Sequence, residues 1–311
     1  MPDAVPPELS GLSGLSGLSG RPFYDGRQDP ADGGRPAPWT LDDLCDFAAE
    51  AGDPYGGRLA GGAFDAPADQ VDAGRLPPFS LQLEAGEPPV WVGLDGAELV
   101  QWSVALERVL ARWGVTAGDT VGFYEYGSSP LVLLSAGSYV PGLGRGATDR
   151  LGADMFCNDG MGNMALRMAE AIRVVRPSAV VVRADVAAPF TEALEMSGVS
   201  LPEVVRWVAV TVPDGAPFDA DVARWSERWG LPVRRILRAD AAFLLAGDCE
   251  SCGLFHVDAG LYDLEPLAGG ETAVTTRFAL TTPAVRYNLG AAEPVAPGCP
   301  EEPAAERLRW L

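Results

Sequence analysis

From residue 95 to residue 237, stretches with helical spacing of apolar residues alternate with short, continuous apolar runs, and this alternation limits the fold more than any other feature of the sequence. The helical spacing predicts helices over residues 95–113, 131–139, 164–175, 189–197 and 219–229. In the first, Leu99, Trp102, Leu106, Val109 and Leu110 fall on one face and Gly114 stands where a C-cap belongs. Strands are predicted over 120–126, 179–183, 204–212 and 233–237. A strand that reads as an unbroken apolar run is covered on both faces, as in a parallel sheet between helices. The expectation is therefore an α/β domain with a mostly parallel sheet flanked by helices. After residue 254 the pattern changes. Residues 256–267 and 271–280, divided by Gly269-Gly270, resemble antiparallel strands and predict a smaller β-rich lobe.

The N-terminal part reads differently. Residues 9–20 spell Leu-Ser-Gly four times, within a Gly- and Pro-rich stretch that reaches about residue 75 and is read as a largely flexible tether. One short helix is expected near 40–50, with Thr40 as its cap and apolar residues at 41, 44, 45, 47 and 48. The expected division is thus 1–75, an α/β core over 76–250, and a β-rich lobe with the C-terminal tail over 251–311.

Composition excludes several functions. The formal net charge is −20 and no lysine occurs, so every basic side chain other than the single histidine is arginine. A strongly acidic surface opposes binding to a nucleic-acid polyanion. Without lysine, neither a Schiff base nor a lysine–phosphate contact is available. Apolar runs such as 131–136 fall far short of the roughly 20 residues that cross a bilayer. The first residues lack the basic and apolar regions of a secretory signal, so a cytoplasmic location, away from membranes, is expected.

Five cysteines, at 45, 157, 249, 252 and 299, an odd number at irregular spacing, argue against a disulfide framework. Cys249, Cys252 and the only histidine, His256, fall within eight residues, and Cys299 follows in Gly298-Cys299-Pro300. Thiolates and imidazole are zinc's preferred ligands, and a Cys-x-x-Cys turn supplies half of a tetrahedral site. A structural zinc on Cys249, Cys252, His256 and Cys299 is one reading. The other makes them small apolar residues in a loop and an ordinary strand histidine. No catalytic residue can be named. Cys157 with His256 offers a nucleophile and a base but no orienting third group, and Ser128, Ser129 and Ser138 lie in no Gly-x-Ser-x-Gly elbow.

Several segments, in order over residues 95–291, resemble landmarks of the phenylacetate-CoA ligase group of the AMP-forming acyl ligases. They include Gly114-Val115-Thr116-Ala117-Gly118-Asp119-Thr120-Val121, the strand 208–212 leading into Pro213-Asp214-Gly215-Ala216-Pro217, and Leu237-Arg238-Ala239-Asp240-Ala241. Val274-Thr275-Thr276 and Arg286-Tyr287-Asn288-Leu289-Gly290 complete the series. The resemblance implies the large N-terminal domain of an adenylate-forming ligase. It also places ligand-pocket candidates at Tyr124, Tyr126, Gly127, Ser128, Asp214, Gly215, Asp240 and Arg286.

The departures from that family all concern ATP. Where the family has a Ser/Thr/Gly-rich loop ending in Gly-Lys, residues 81–90 carry Glu84, Glu87 and two prolines, a poor phosphate cradle. The magnesium-holding glutamate of the family's Tyr-Gly-x-x-Glu falls on Ala241, and the ribose-binding aspartate of its late motif falls on Ala291. The chain also stops at Leu311, before the family's small domain with its catalytic lysine. The resemblance then implies a degenerate ligase that does not adenylate and needs neither ATP nor magnesium. Such a protein could act in secondary metabolism as an ATP-independent hydrolase or acyltransferase on an aryl or acyl thioester of CoA or a carrier protein. The alternatives are a non-catalytic pseudo-ligase, binding such a ligand or a partner enzyme, and a conventional AMP-forming ligase; a homodimer or a complex with a partner enzyme is the expected assembly.

Overall fold

The structure, a computed structural model, describes residues 22–29, 34–52, 79–83, 90–140, 143–212, 219–303 and 305–310. The Leu-Ser-Gly repeat, Glu84, Glu87 and the pocket candidates Asp214 and Gly215 lie outside the described residues.

The strands in chain order are β1 Gln28–Asp29, β2 Arg35–Pro36, β3 Phe79–Leu83, β4 Val90–Leu94, β5 Thr120–Tyr124, β6 Asp154–Asn158, β7 Ala179–Arg183, β8 Trp207–Val212, β9 Val233–Ala239, β10 Leu244–Asp248, β11 Phe255–Val257, β12 Tyr262–Pro266, β13 Glu271–Thr276, β14 Tyr287–Val295 and β15 Glu306–Trp310. The helices are α1 Pro22–Asp25, α2 Leu41–Ala51, α3 Gly96–Arg112, α4 Pro130–Ser135, α5 Ala147–Leu151, α6 Ala165–Val175, α7 Ala187–Ser197 and α8 Asp219–Trp229.

Eleven strands form one sheet in the order β12-β13-β14-β15-β11-β10-β9-β8-β7-β5-β6. From β6 to β9 all pairings are parallel. From β9 onward they are antiparallel, so the β-rich part after residue 250 continues the same sheet through β10 and β11. Parallel strands need long crossovers: α4 and α5 lie between β5 and β6, α6 carries the chain from β6 across β5 to β7, and α7 and α8 join β7 to β8 and β8 to β9. The strand Ala-Val-Val-Val-Arg of β7 is buried along its whole length, as its unbroken apolar run predicts.

Helix α3 begins where Asp95 and Glu98 exchange backbone hydrogen bonds in a capping box, each at 2.8 Å. The second oxygen of Glu98 accepts from the amides of Leu280 and Thr281, which fixes this end of the helix to the distant chain. The buried face carries Leu99, Trp102, Leu106, Val109 and Leu110 and packs on β10. Gly247 permits the close approach. A Cβ there would lie 2.5 Å from a methyl of Val109.

Residues 22–52 contribute to this core. Phe23, Tyr24, Trp39 and Leu44 are buried, Trp39 donates its ring N–H to the Val285 carbonyl at 2.7 Å, and its backbone bridges Tyr287. Thr40 caps α2 in a box with Asp43.

Several boundaries differ from the sequence reading. The predicted strand over 256–267 is two strands, β11 and β12, broken by the turn at residues 258–261, where Leu261 and Tyr262 both return their amides to the Asp258 carbonyl. The helix predicted over 131–139 ends at Ser135 and gives way to a single tight turn at Gly137–Tyr139, because at Gly137 the chain passes Gly144 too closely for any side chain. In the stretch taken as the phosphate-loop position, Leu81, Gln82, Leu83 and Val90 are paired strand residues of an antiparallel β3–β4 ladder. Among the described residues, no helix is long and apolar enough to cross a membrane.

Candidate functional site

In an open α/β sheet the crevice that receives ligands lies at the carboxyl ends of the strands, where the strand order reverses. Here the chain passes from β5 outward to β6 and then back across to β7 on the other side of β5. The reversal therefore falls between β5 and β7. Tyr124 and Val182 are the last paired residues there, and the next residue on each strand is charged: Glu125 and Arg183.

Glu125 is 1% exposed. One carboxylate oxygen lies 3.6 Å from Nη1 of Arg183, and the other lies 3.6 Å from Nη1 of Arg238 at the end of β9. Thr211, in β8 between them, donates its hydroxyl to Glu125 at 3.0 Å. Each arginine opens the same tripeptide, Arg183-Ala184-Asp185 and Arg238-Ala239-Asp240, and each grips its own aspartate with two guanidinium N–H groups. Burial pushes the Glu125 carboxyl above its ordinary range, against the opposing pull of Arg238, Arg183 and Thr211. Burial outweighs the two guanidiniums because each of them is also committed to its own aspartate.

The neighbouring loops complete this end of the sheet. Tyr126 lays its ring over the Arg183 guanidinium, 3.6 Å from the ring centre, and Gly160 accepts from Arg183 at 2.9 Å. A Cβ at Gly160 would sit 2.9 Å from the Glu125 Cα, so only glycine lets this loop close on the network. Tyr124 is buried, with its hydroxyl on the Met161 carbonyl, and burial pushes its pKa up to about 12. The Gly127 amide donates to Asp159, and Ser128 is exposed on the turn. The turn at 158–164 is a structural connection, its Asn158 amide donating to the Met164 carbonyl.

Of the pocket candidates, the structure thus gathers Tyr124, Tyr126, Gly127, Ser128 and Asp240 at this end of the sheet, whereas Arg286 is committed elsewhere. Its guanidinium holds Glu265 and the Pro36 carbonyl and fastens the N-terminal segment to β14. Beside the network is a cleft of about 210 Å³, lined by Arg238, Ala239, Glu271, Tyr287, Asn288 and Trp310 among others. Asn288 donates to Glu271 across it at 2.9 Å. Glu125, Arg183, Thr211 and Arg238 were not singled out from sequence. The repeated Arg-Ala-Asp after two apolar runs is the signal that points to them.

Cys157 lies near the network, bonded to the Glu125 carbonyl at 3.4 Å, and burial, reinforced by Asp159 and Glu125, pushes its thiol up to about 11. His256 cannot serve it as a base. The two residues are six strand positions apart, roughly 29 Å at about 4.8 Å per strand.

The second cluster stands on the antiparallel half. Cys249 follows β10, His256 lies in β11, and Cys299 arrives between β14 and β15. Between Cys249 and His256 the chain reverses tightly at Gly253, whose φ of 67° favours glycine and whose amide returns to the Cys249 carbonyl. The ligand atoms of Cys249, Cys252, His256 and Cys299 all lie within 4.8 Å of one another, a spread within reach of one metal ion. Cys249 and Cys299 sulfurs are 3.6 Å apart, and Cys252 Sγ is 3.3 Å from His256 Nε2. A tetrahedral zinc with bonds of about 2.3 Å to sulfur separates two sulfurs by about 3.8 Å. Glu302 takes the other ring nitrogen of His256 at 2.9 Å, as outer carboxylates do behind metal-bound histidines. The donor set and spacing fit that metal.

No protein-family model matches the sequence, and no curated protein matches it. Solved structures do match in fold. An open conformation of 2-hydroxyisobutyryl-CoA ligase with 2-HIB-AMP and CoA superposes with a TM-score of 0.70 and 16% identity, over 94% of this chain and 65% of the ligase. The postadenylation state of that ligase with R3-HIB-AMP gives 0.70 and 15%, over 93% and 62%. An anthranilate-CoA ligase with anthranoyl-AMP aligns at 0.46 and 13%, over 64% and 39%. The chain therefore shares the fold of the aligned part of 2-hydroxyisobutyryl-CoA ligase and spans somewhat less than two thirds of that ligase's length.

Proposed function

We propose that this chain uses the fold of an AMP-forming ligase to bind a small aryl or acyl ligand at the carboxyl ends of its parallel strands, without adenylating it. The observation that carries the reading is the buried network of Glu125, Arg183 and Arg238. At the strand-order reversal, where the fold offers its crevice, this chain puts charges that neutralise one another. Asp240 stands next to the position of the family's magnesium glutamate, and both of its oxygens are held by Arg238. Magnesium needs oxygen ligands free to complete an octahedron. The adjoining cleft, at about 210 Å³, is below the roughly 300–1,000 Å³ of ordinary ligand pockets. That volume is too small for a whole acyl-adenylate, such as the one the 2-hydroxyisobutyryl-CoA ligase holds.

The same observations favour binding over ATP-independent hydrolysis or acyl transfer. A thiol pushed up to about 11 is a poor nucleophile, and the histidine belongs to the other cluster. Titration calorimetry with aromatic acids and their CoA thioesters, alongside an ATP–pyrophosphate exchange assay, tests the proposal. Saturable heat without exchange is the expected result. ATP-dependent exchange above the blank overturns it, and release of free CoA from a thioester moves the reading to a hydrolase.

The Cys249, Cys252, His256 and Cys299 cluster is proposed to hold one structural zinc. Four protein ligands fill a tetrahedral ion, so no position remains for a substrate. The ion would fasten the β14–β15 connection to the end of β10 and the start of β11, at the opposite half of the sheet from the ligand crevice.

A further inference from the structure

The two Arg-Ala-Asp corners are alike in sequence and in grip but differ in the exposure of the aspartate. Asp240 has a side chain only 12% exposed, whereas that of Asp185 is 63% exposed. Arg183 itself is 7% exposed and is held from three sides, by Glu125, by the Gly160 carbonyl and by the ring of Tyr126. Its desolvation and its orientation are already fixed by the fold, which is what a preorganised anchor requires. A planar guanidinium presents two parallel N–H groups matched to a carboxylate. At Arg183 those two groups hold Asp185, a carboxylate that loses little by returning to water.

We propose that Arg183 is the anchor for a small aromatic carboxylate, and that Asp185 is the chain's own carboxylate occupying that anchor until the ligand takes its place. The ligand's carboxylate accepts from Nε and Nη2 of Arg183, and Asp185 turns out to solvent. The ring of the ligand lies against Tyr126 and Met161, two large apolar side chains exposed by 41% and 38% on the loops that hold the arginine. Both the place and the chemistry agree, since Arg183 borders the strand-order reversal where such sheets take ligands. Arg238 does not serve in the same way, because its aspartate is mostly buried and costs more to release. The inference rests on the binding function proposed above and names the residue that selects the ligand's charge.

The test is calorimetric titration of the wild type, Asp185→Ala and Tyr126→Ala with benzoate, benzamide and acetate. Removing an internal competitor raises apparent affinity by the reciprocal of the fraction of time the site was free, so with Asp185 on the anchor about nine-tenths of the time, Asp185→Ala binds benzoate about ten-fold tighter than the wild type. Benzamide, which has the same shape without the charge, gains nothing. Tyr126→Ala loses affinity for benzoate while acetate binding is unchanged. Arg183→Met abolishes benzoate binding, and because that variant also strips Glu125 of a partner, Asp185→Ala decides the matter. Equal benzoate affinity in Asp185→Ala and the wild type overturns the inference, as does benzamide binding as well as benzoate. If an aryl ligand binds the wild type but Asp185→Ala changes nothing, only this inference fails. If no aryl ligand binds either protein at millimolar concentration, the proposed function fails with it.

Discussion

Glu125 and Arg183 stand side by side at the ends of β5 and β7, one residue beyond the last pair of the ladder, with 3.6 Å between carboxylate and guanidinium. The contact sits where the strand order turns back on itself, the place at which a fold of this kind opens its crevice. Since Arg238 closes on the same carboxylate, the crevice floor is a salt-bridged surface.

That arrangement sets a pH dependence. A carboxyl whose folded value lies above its unfolded one binds more protons in the native state, so its contribution to stability is fully present below the unfolded value and is lost as pH rises through the folded one. Glu125→Gln keeps the shape and the acceptor for Thr211 and removes the charge. The variant is expected to match the wild type in acid and to be at least as stable at neutral pH. Urea unfolding of both proteins across that range checks this, and a wild type that gains on the variant as pH rises would contradict it.

The two aspartates should differ in what their loss costs. Asp240→Ala removes a buried partner and is expected to destabilise by about 3 kcal/mol. Asp185→Ala removes an exposed one and is expected to cost under about 1 kcal/mol. Denaturant midpoints with unchanged m-values give the comparison directly.

Trp39 tests the packing of residues 22–52. It is fully buried, its ring N–H bonds the Val285 carbonyl, and it meets Tyr287 edge-on at 4.9 Å between centres. Trp39→Ala should cost about 3–5 kcal/mol by chemical denaturation. A loss below about 1 kcal/mol would mean that this segment does not form part of the core.

Metal analysis of the purified protein is expected to give one zinc per chain, and Cys299→Ser to release it. Glu302→Gln keeps all four ligands but weakens the hold on His256, and should lower zinc affinity about 10–100-fold in a chelator competition. Zinc content unaffected by Cys299→Ser would place the metal elsewhere.

The parallel half of the fold was legible in the sequence because buried strands there are unbroken apolar runs. β7 and α8 begin and end where the pattern puts them. β6 was missed because it lies at the sheet edge, half-exposed, and reads Asp-Met-Phe-Cys-Asn without alternation. β10 was hidden because Leu-Leu-Ala-Gly-Asp is buried throughout and contains a glycine needed for contact with Val109. Local spacing brought Cys249, Cys252 and His256 together on the page, and Cys299 joins them through β15, which pairs with β11. The ionic network could not be read the same way. Its members are separated by up to 113 residues, and only the parallel register aligns them.

The most direct test of the central claim is a calorimetric titration of the full chain with ATP and magnesium. With Glu125 and Asp240 tied to arginines at the crevice, no saturable heat is expected at millimolar nucleotide. Magnesium-dependent binding of ATP at micromolar concentration would contradict the account and return the chain to the adenylating ligases whose fold it has.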